Sequence, residues 1–352
     1  MPGSTLKSLA QLVGVNVSTV SRVLNGKAKQ YRISKQTEEA VLLAAKELNY
    51  HPNQVAQGLR LKRTLTIGLV IPDISNPFFS ALARSIEIQA RHDKYSIMLF
   101  DSQEDIDIET ESIQLLVSRK VDGCIICPIG LENKHLDKLE KDFRIPLVVV
   151  DRSFPGMKAP SVTADNYGGA LEAVSFLIEN GHTAIGCIQG LAGSTVNNNR
   201  IKGFCDGHEQ FGLEVPDDLI VGNSFGEKNG YESAMILLDR PERPTAIYAC
   251  SNLIALGAIR AIHEKGLKIP DDVSLIAFDN EPYFEYLSTP ITAVSQPREE
   301  MGKKAMELVI SQIENGKQPS SSVTLPTSII VRQSVKNRND DSAGLSRLTK
   351  LN

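Results

Sequence analysis

"TLKSLAQLVGVNVSTVSRVLN", residues 5–25, carries two helical signatures separated by three residues. Leu6, Leu9, Ala10 and Val13 recur at i, i+3, i+4 and i+7, one face of a helix, and Thr5 is placed to cap its first turn. Gly14 suits a left-handed C-cap, and Asn16 can cap the next helix. In that second helix Val20, Val23 and Leu24 share the inner side, while Ser18, Arg22 and Asn25 share the outer one. A third helix is expected from Ser34 through "KQTEEAVLLAAKELNY", with Val41, Ala44, Ala45 and Leu48 on its buried face.

Two helices joined by a short glycine-containing turn over a small core make a helix-turn-helix, whose second helix enters a DNA major groove. In that placement Val17 meets a thymine methyl, Ser18 a base or phosphate, and Arg22 the O6 and N7 of guanine. Thr5, Ser21, Asn25, Lys29, Tyr31 and Arg32 are expected on phosphates, which set register and not sequence. Charge supports a polyanionic partner. Residues 1–63 hold ten Lys/Arg and three Asp/Glu, or +7; the remainder holds 28 basic and 39 acidic residues, or −11.

Three stretches, "TLKSLAQLVGVNVSTVSRVLNGKAKQYRIS", "LNYHPNQVAQGLR" and "TIGLVIPDISNPFFS", together resemble the lactose/galactose-repressor family of bacterial transcription regulators. The longer turn "NGKAKQYRIS" resembles the fructose- and sucrose-repressor branch, and the likeness runs from about residue 5 to about 335. It implies a homodimer on a near-palindromic operator. It also implies that residues 53–61 are a hinge helix that orders on DNA, with Asn53, Val55, Ala56 and Leu59 in the minor groove and Leu59 as a wedge. The residues agree with such a role: nine residues are too few for an isolated helix, and Gly58 weakens it by roughly 1 kcal/mol relative to Ala.

From Thr64 on, short apolar runs such as "TIGLVIPD", "DGCIICP", "PLVVVD" and "VSLIAFDN" alternate with helical patterns such as "SALARSIEIQARHDK" and "LIALGAIRAIHEKG". That alternation indicates an α/β fold of doubly wound parallel sheets, with too many strands for one sheet, hence two lobes. "GLEVPDDLIV" (212–221) and "GLKIPDDVSLI" (266–276) echo one another and suggest similar halves. The expected organisation is a head (1–50), a hinge (51–63), a periplasmic-binding-protein-like core (64–338) and a disordered tail (339–352). The resemblance divides the core into lobe one, 64–162 with 293–322, and lobe two, 163–292 with 323–338.

Ligands of such sheets lie beyond the carboxyl ends of strands. There the resemblance, in its ribose-binding type, implies ligand contacts by Asn76, Phe78, Phe79, Asp151, Arg152, Arg200, Phe225, Asn252, Asp279 and Gln296. Aromatic faces with Asp, Asn, Arg and Gln suit a sugar, whose C–H faces stack on rings and whose hydroxyls need donors and acceptors. Whether that sugar is free or phosphorylated is left open, since the head resembles sensors of sugar phosphates. A cytoplasmic sugar-binding protein without operator control and a sugar-acting α/β enzyme are the other readings.

No catalytic constellation, cofactor motif or metal site is expected. The CxxC at 124–127 lies in a strand, so its sulfurs face opposite ways. "NYGGALEA" could offer helix-end amides to a phosphate, but close helix packing explains it better. Five scattered cysteines, no long apolar run and no leader pattern fit the cytoplasm and no membrane partner.

Overall fold

A computed structural model describes residues 5–50, 63–316 and 321–339. It falls into two compact units, Met1–Thr64 and Leu65–Asn352.

The first unit is the three-helix head: α1 (Leu6–Val13), α2 (Val17–Leu24) and α3 (Lys35–Glu47). Leu9, Ala10, Val20, Val23, Val41 and Ala44 form its core. Thr5 caps α1 through a reciprocal box with Ser8, and Gly14 ends it at φ 71°. Asn16 precedes α2 without a side-chain capping bond. Ser34 caps α3 by accepting from Thr37 N. Leu48, expected on the buried face, is 38% exposed, because the helix stops at Glu47 and Tyr50 turns back onto the core instead.

The second unit holds two six-stranded sheets. Chain order is β1 (Thr66–Ile71), α4 (Pro77–His92), β2 (Ser96–Asp101), α5 (Ile106–Ser118), β3 (Gly123–Ile126), α6 (Lys134–Phe143), β4 (Leu147–Val150) and β5 (Ser161–Ala164). Next come α7 (Asn166–Glu179), β6 (Ile185–Ile188), α8 (Thr195–Gln210), β7 (Ile220–Val221), α9 (Glu227–Leu238), β8 (Ala246–Ala249), α10 (Asn252–Glu264), β9 (Ser274–Phe278) and β10 (Thr292–Ser295). The chain closes with α11 (Arg298–Asn315), β11 (Val323–Leu325) and β12 (Ser328–Ile330). The first sheet runs β11-β5-β4-β3-β1-β2 and the second β12-β10-β9-β8-β6-β7. The pairings are parallel except β10–β12, an antiparallel edge on the second sheet.

The chain passes between lobes at 165, 296–297 and 326–327. Residues 163–164 and 323–325, expected in the second lobe, belong to the first sheet, where Thr163 faces Thr324 and Ala164 faces Leu325. Residues 293–295, expected in the first lobe, pair within the second sheet. Register carries each strand past the expected crossover. The 212–221 and 266–276 echo does not relate one lobe to the other: both copies lie in the second, as its expected bounds have them, in the α8-to-β7 and α10-to-β9 connections. They are one recurrent way of leaving a helix at Gly212 and Gly266, both near φ 68°, and do not mark separate lobes. Asn339, placed in the tail, donates from Nδ2 to Glu179 O and so still belongs to the core.

Helix packing differs between lobes. In the second, α9 and α10 approach so closely that a Cβ on Gly257 would lie 2.1 Å from Glu227 O, and one on Gly230 would lie 2.2 Å from Ile254 O. A Cβ on Gly203 of α8 would lie 2.4 Å from Tyr167 O of α7. In the first lobe α4 and α11 meet at Gly302, whose nearest neighbour is a side chain, Ser85 Oγ.

Candidate functional site

A cavity of about 320 Å³ lies between the two sheets, at the carboxyl ends of their strands. All ten residues expected at the ligand line it.

The first lobe supplies an aromatic corner. Pro77 opens α4, and Asn76 caps it by accepting from Phe78 N at 3.0 Å. That turn sets the Phe78 and Phe79 rings edge to face, 5.1 Å apart. Asp151 follows β4 at φ 69°, and Asp279 follows β9 at φ 70°. The two strands hold the same place in their sheets, third in order. Left-handed backbone at a non-glycine residue is uncommon and concentrates at functional sites. Both aspartates are buried. Burial pushes the Asp151 carboxyl up to about 6, against the pull of Arg152 and Arg200.

Arg152 is held by a carboxylate absent from the expected set. Its Nη1 and Nη2 donate to Glu104 Oε2 and Oε1 at 3.0 and 2.9 Å. Its guanidinium also lies between the Phe79 ring, 5.7 Å away, and the Phe225 ring of the opposite lobe, 5.4 Å away. Glu104 lies in the loop after β2, and a lone Glu in "DSQED" gives no sign of reaching a residue 48 positions on.

Arg200 is fixed within the second lobe. Its Nε donates to Asn166 Oδ1 at 2.8 Å, its Nη1 donates to Cys250 O, and its plane lies 3.6 Å from the Phe278 centroid. Asp279 stands 3.9 Å from Nη2 and accepts from Gln296 Nε2. Gln296 Oε1 is buried with no hydrogen-bond partner among the described residues. Asn252 donates to Asn76 Oδ1 at 2.8 Å, across the cleft. Asp73, Ser194, Asn223, Ser224 and Ser251 also line the cavity and were not anticipated.

The "NYGG" segment is packing. A Cβ on Gly169 would strike Thr327 Oγ1 at 2.6 Å, and Gly168 N already donates to Asp165. Cys124 and Cys127 lie in different cores on opposite faces of the first sheet. Among the described residues no cluster could hold a metal ion, and no helix is long and apolar enough to cross a membrane.

On the head, Val17 is 43% exposed, and Ser18, Arg22, Lys29 and Arg32 are open to solvent. The Arg22 guanidinium stacks 4.0 Å over the Tyr31 ring, a contact the spacing did not announce. The Asn25 amide donates to Ser21 O, and the Thr5 hydroxyl is engaged with Ser8, so both have local duties beside any phosphate contact. Asn53, Val55, Ala56 and Leu59 lie outside the described residues.

Comparison with known proteins completes the assignment. Residues 5–53 match the domain of bacterial regulatory proteins, lacI family, and residues 174–335 match a periplasmic binding protein-like domain. The HTH-type transcriptional regulator DegA of Bacillus subtilis is 36% identical over 335 residues, 94% of this chain and 98% of that one. A lac repressor dimer bound to operator and an anti-inducer superposes with TM-score 0.83 at 25% identity, covering 95% of this chain and 99% of the other. A LacI family regulator from Enterococcus faecium with bound ribose gives 0.70 at 28% identity over 77% and 99%. With a DNA-binding head, a small-molecule cleft between two lobes and relatives that regulate transcription and are not enzymes, the chain belongs to the lacI family of bacterial regulatory proteins.

Proposed function

We propose that this regulator works in the cytoplasm as a dimer and senses a neutral, unphosphorylated monosaccharide of the ribose type. The observation that carries the reading is the charge state of the cavity. Both guanidiniums on its wall are already compensated, Arg152 by Glu104 and Arg200 by Asp279 with two neutral acceptors. Asp73, Glu104, Asp151 and Asp279 face them, four carboxylates to two cations. A phosphate entering here would meet an acidic wall whose two cations are already engaged, a costly burial. A sugar hydroxyl meets what it needs: the unpartnered Gln296 Oε1 as acceptor, buried carboxylates beside it and three phenylalanine rings. The ribose bound by the Enterococcus faecium neighbour agrees in size and chemistry. The sugar-phosphate alternative is thereby disfavoured, despite the branch the head resembles.

On the DNA side Val17, Ser18 and Arg22 are assigned to base edges, because they are exposed together on the outer face of α2. Closure of the lobes on the sugar changes the spacing of the two heads in the dimer and so the fit to a near-palindromic operator.

A thermal-shift series with D-ribose, other pentoses, hexoses and ribose 5-phosphate tests the effector. Ribose or a close neutral relative should raise the melting temperature in a concentration-dependent way, and the phosphate should not. Stabilisation by the phosphate alone would overturn the reading. A gel shift on the DNA upstream of the protein's own coding region, with and without the stabilising sugar, tests operator control.

A further inference from the structure

Two residues past each member of the Asp279–Gln296 pair lies a second pair, Glu281 and Arg298. Glu281 follows β9 in the second lobe, whereas Arg298 opens α11, which packs into the core of the first. The crossover at 296–297 lies between the two pairs. Arg298 Nη1 donates to Glu281 Oε1 and Oε2 at 3.0 and 3.1 Å, and Arg298 Nη2 donates to Asn280 O at 2.9 Å. Glu281 is 0% exposed. Asn252 Nδ2 lies 3.3 Å from the same Glu281 oxygen and 2.8 Å from Asn76 Oδ1. One amide therefore joins this pair to the ligand cavity, while neither Glu281 nor Arg298 lines that cavity.

We infer that Glu281 and Arg298 are a ligand-independent latch across the two lobes, which sets how far the cleft is closed before any sugar arrives. Parting the lobes strips Arg298 from a fully buried carboxylate, and an unpaired buried charge is strongly unfavourable. The latch thus favours closure, the state that binds sugar most tightly, and it does so without touching the sugar. Its partner Asn252, and Asn76 one bond beyond, are cavity residues, so the energy of closing and the energy of binding share one hydrogen-bonded chain.

This rests on the proposed function for its effector but not for its geometry. Linkage then gives a prediction independent of whether the sugar releases or strengthens operator binding. Weakening the latch must push ligand-free operator affinity opposite to the direction in which the sugar pushes the wild type. The test uses the full chain, with D-ribose as probe and the upstream DNA as target. Two variants are compared: Glu281→Gln, which keeps shape, and the double variant Glu281→Leu with Arg298→Leu, which removes both charges and leaves neither stranded. Ligand-free small-angle scattering should show a more open particle for both. Ribose affinity should fall by about tenfold, within the usual span of coupling between sites. Scattering and ligand-free operator affinity equal to wild type in either folded variant would overturn the latch. Failure of ribose to bind the wild type would count against the effector reading alone, because scattering still decides the latch.

Discussion

The two lobes share a strand order and use it differently. Each has a glycine in a strand beneath a helix, Gly68 in β1 under α5 and Gly186 in β6 under α9. A Cβ there would press on a leucine at 2.5 Å from Leu116 Cδ1 and 2.7 Å from Leu237 Cδ1. Each places a left-handed aspartate at the end of its third strand. Beyond that they diverge. The second lobe packs helices backbone to backbone through Gly203, Gly230 and Gly257, and its cavity arginine is fixed by partners of the same lobe. In the first lobe α4 and α11 meet at Gly302 with Ser85 Oγ nearest, at 2.5 Å, and backbone only at Ile86 N, 3.0 Å, and the cavity arginine of this lobe leans on Glu104, whose side chain is 46% exposed. The second lobe holds its arginine among buried partners, and the first ties its own to a partner at the surface.

The largest expected effect sits in the helix packing. Gly257→Ala should cost roughly 3 kcal/mol or more, since a carbonyl 2.1 Å away must shift, while Gly302→Ala should cost less, about 2 kcal/mol, since Ser85 Oγ can rotate away although Ser85 Cβ at 2.8 Å and Ile86 N at 3.0 Å must also give. Thermal or urea unfolding of the two variants checks this, and equal losses would erase the distinction. Next come the arginines. Arg200→Ala leaves Asp279 without its cation and should weaken ribose binding by about a hundredfold, against about tenfold for Arg152→Ala, which frees the exposed Glu104 and takes a cation from Asp151, 3.7 Å away, whose already raised carboxyl can take up a proton instead. Calorimetric titration of both variants would reverse the assignment of roles if the order came out inverted. The paired glycines should behave alike: Gly68→Ala and Gly186→Ala each cost about 1–3 kcal/mol. A difference as large as either loss would show that the leucines above them are not equally free to yield.

The smallest effect is in pH. Asp151 must be ionised to serve as a pure acceptor, and its carboxyl titrates at about 6. Sugar affinity should therefore decline as pH falls through about 6, and Asp151→Asn should flatten the profile. Unfolding through this group cannot imitate that decline. The folded chain holds the proton more tightly than the unfolded one, whose value is near 3.8, so this group favours folding increasingly as pH falls across that interval.

The legible part of the molecule obeys local physics. The head is written in spacing, caps and a glycine turn within 50 residues. The strand ends are written in apolar runs that stop at Asp, Asn or Arg. The illegible part is non-local. Thr163 meets Thr324 across 161 positions, and only that register shows that 163–164 and 323–325 stay with the first sheet. Glu104 and the Glu281–Arg298 pair are ordinary charges in sequence, and their roles come from which loops the topology brings together. Leu48 escapes its expected burial for a simpler reason: helical periodicity does not say where the helix ends.

The stack of Arg22 on Tyr31 has an entropic consequence. A long side chain usually samples many rotamers and must lose that freedom at each DNA site it inspects. Here the guanidinium is already parked on a ring before any duplex arrives. Less of that freedom is then left to lose when the side chain is fixed against a duplex.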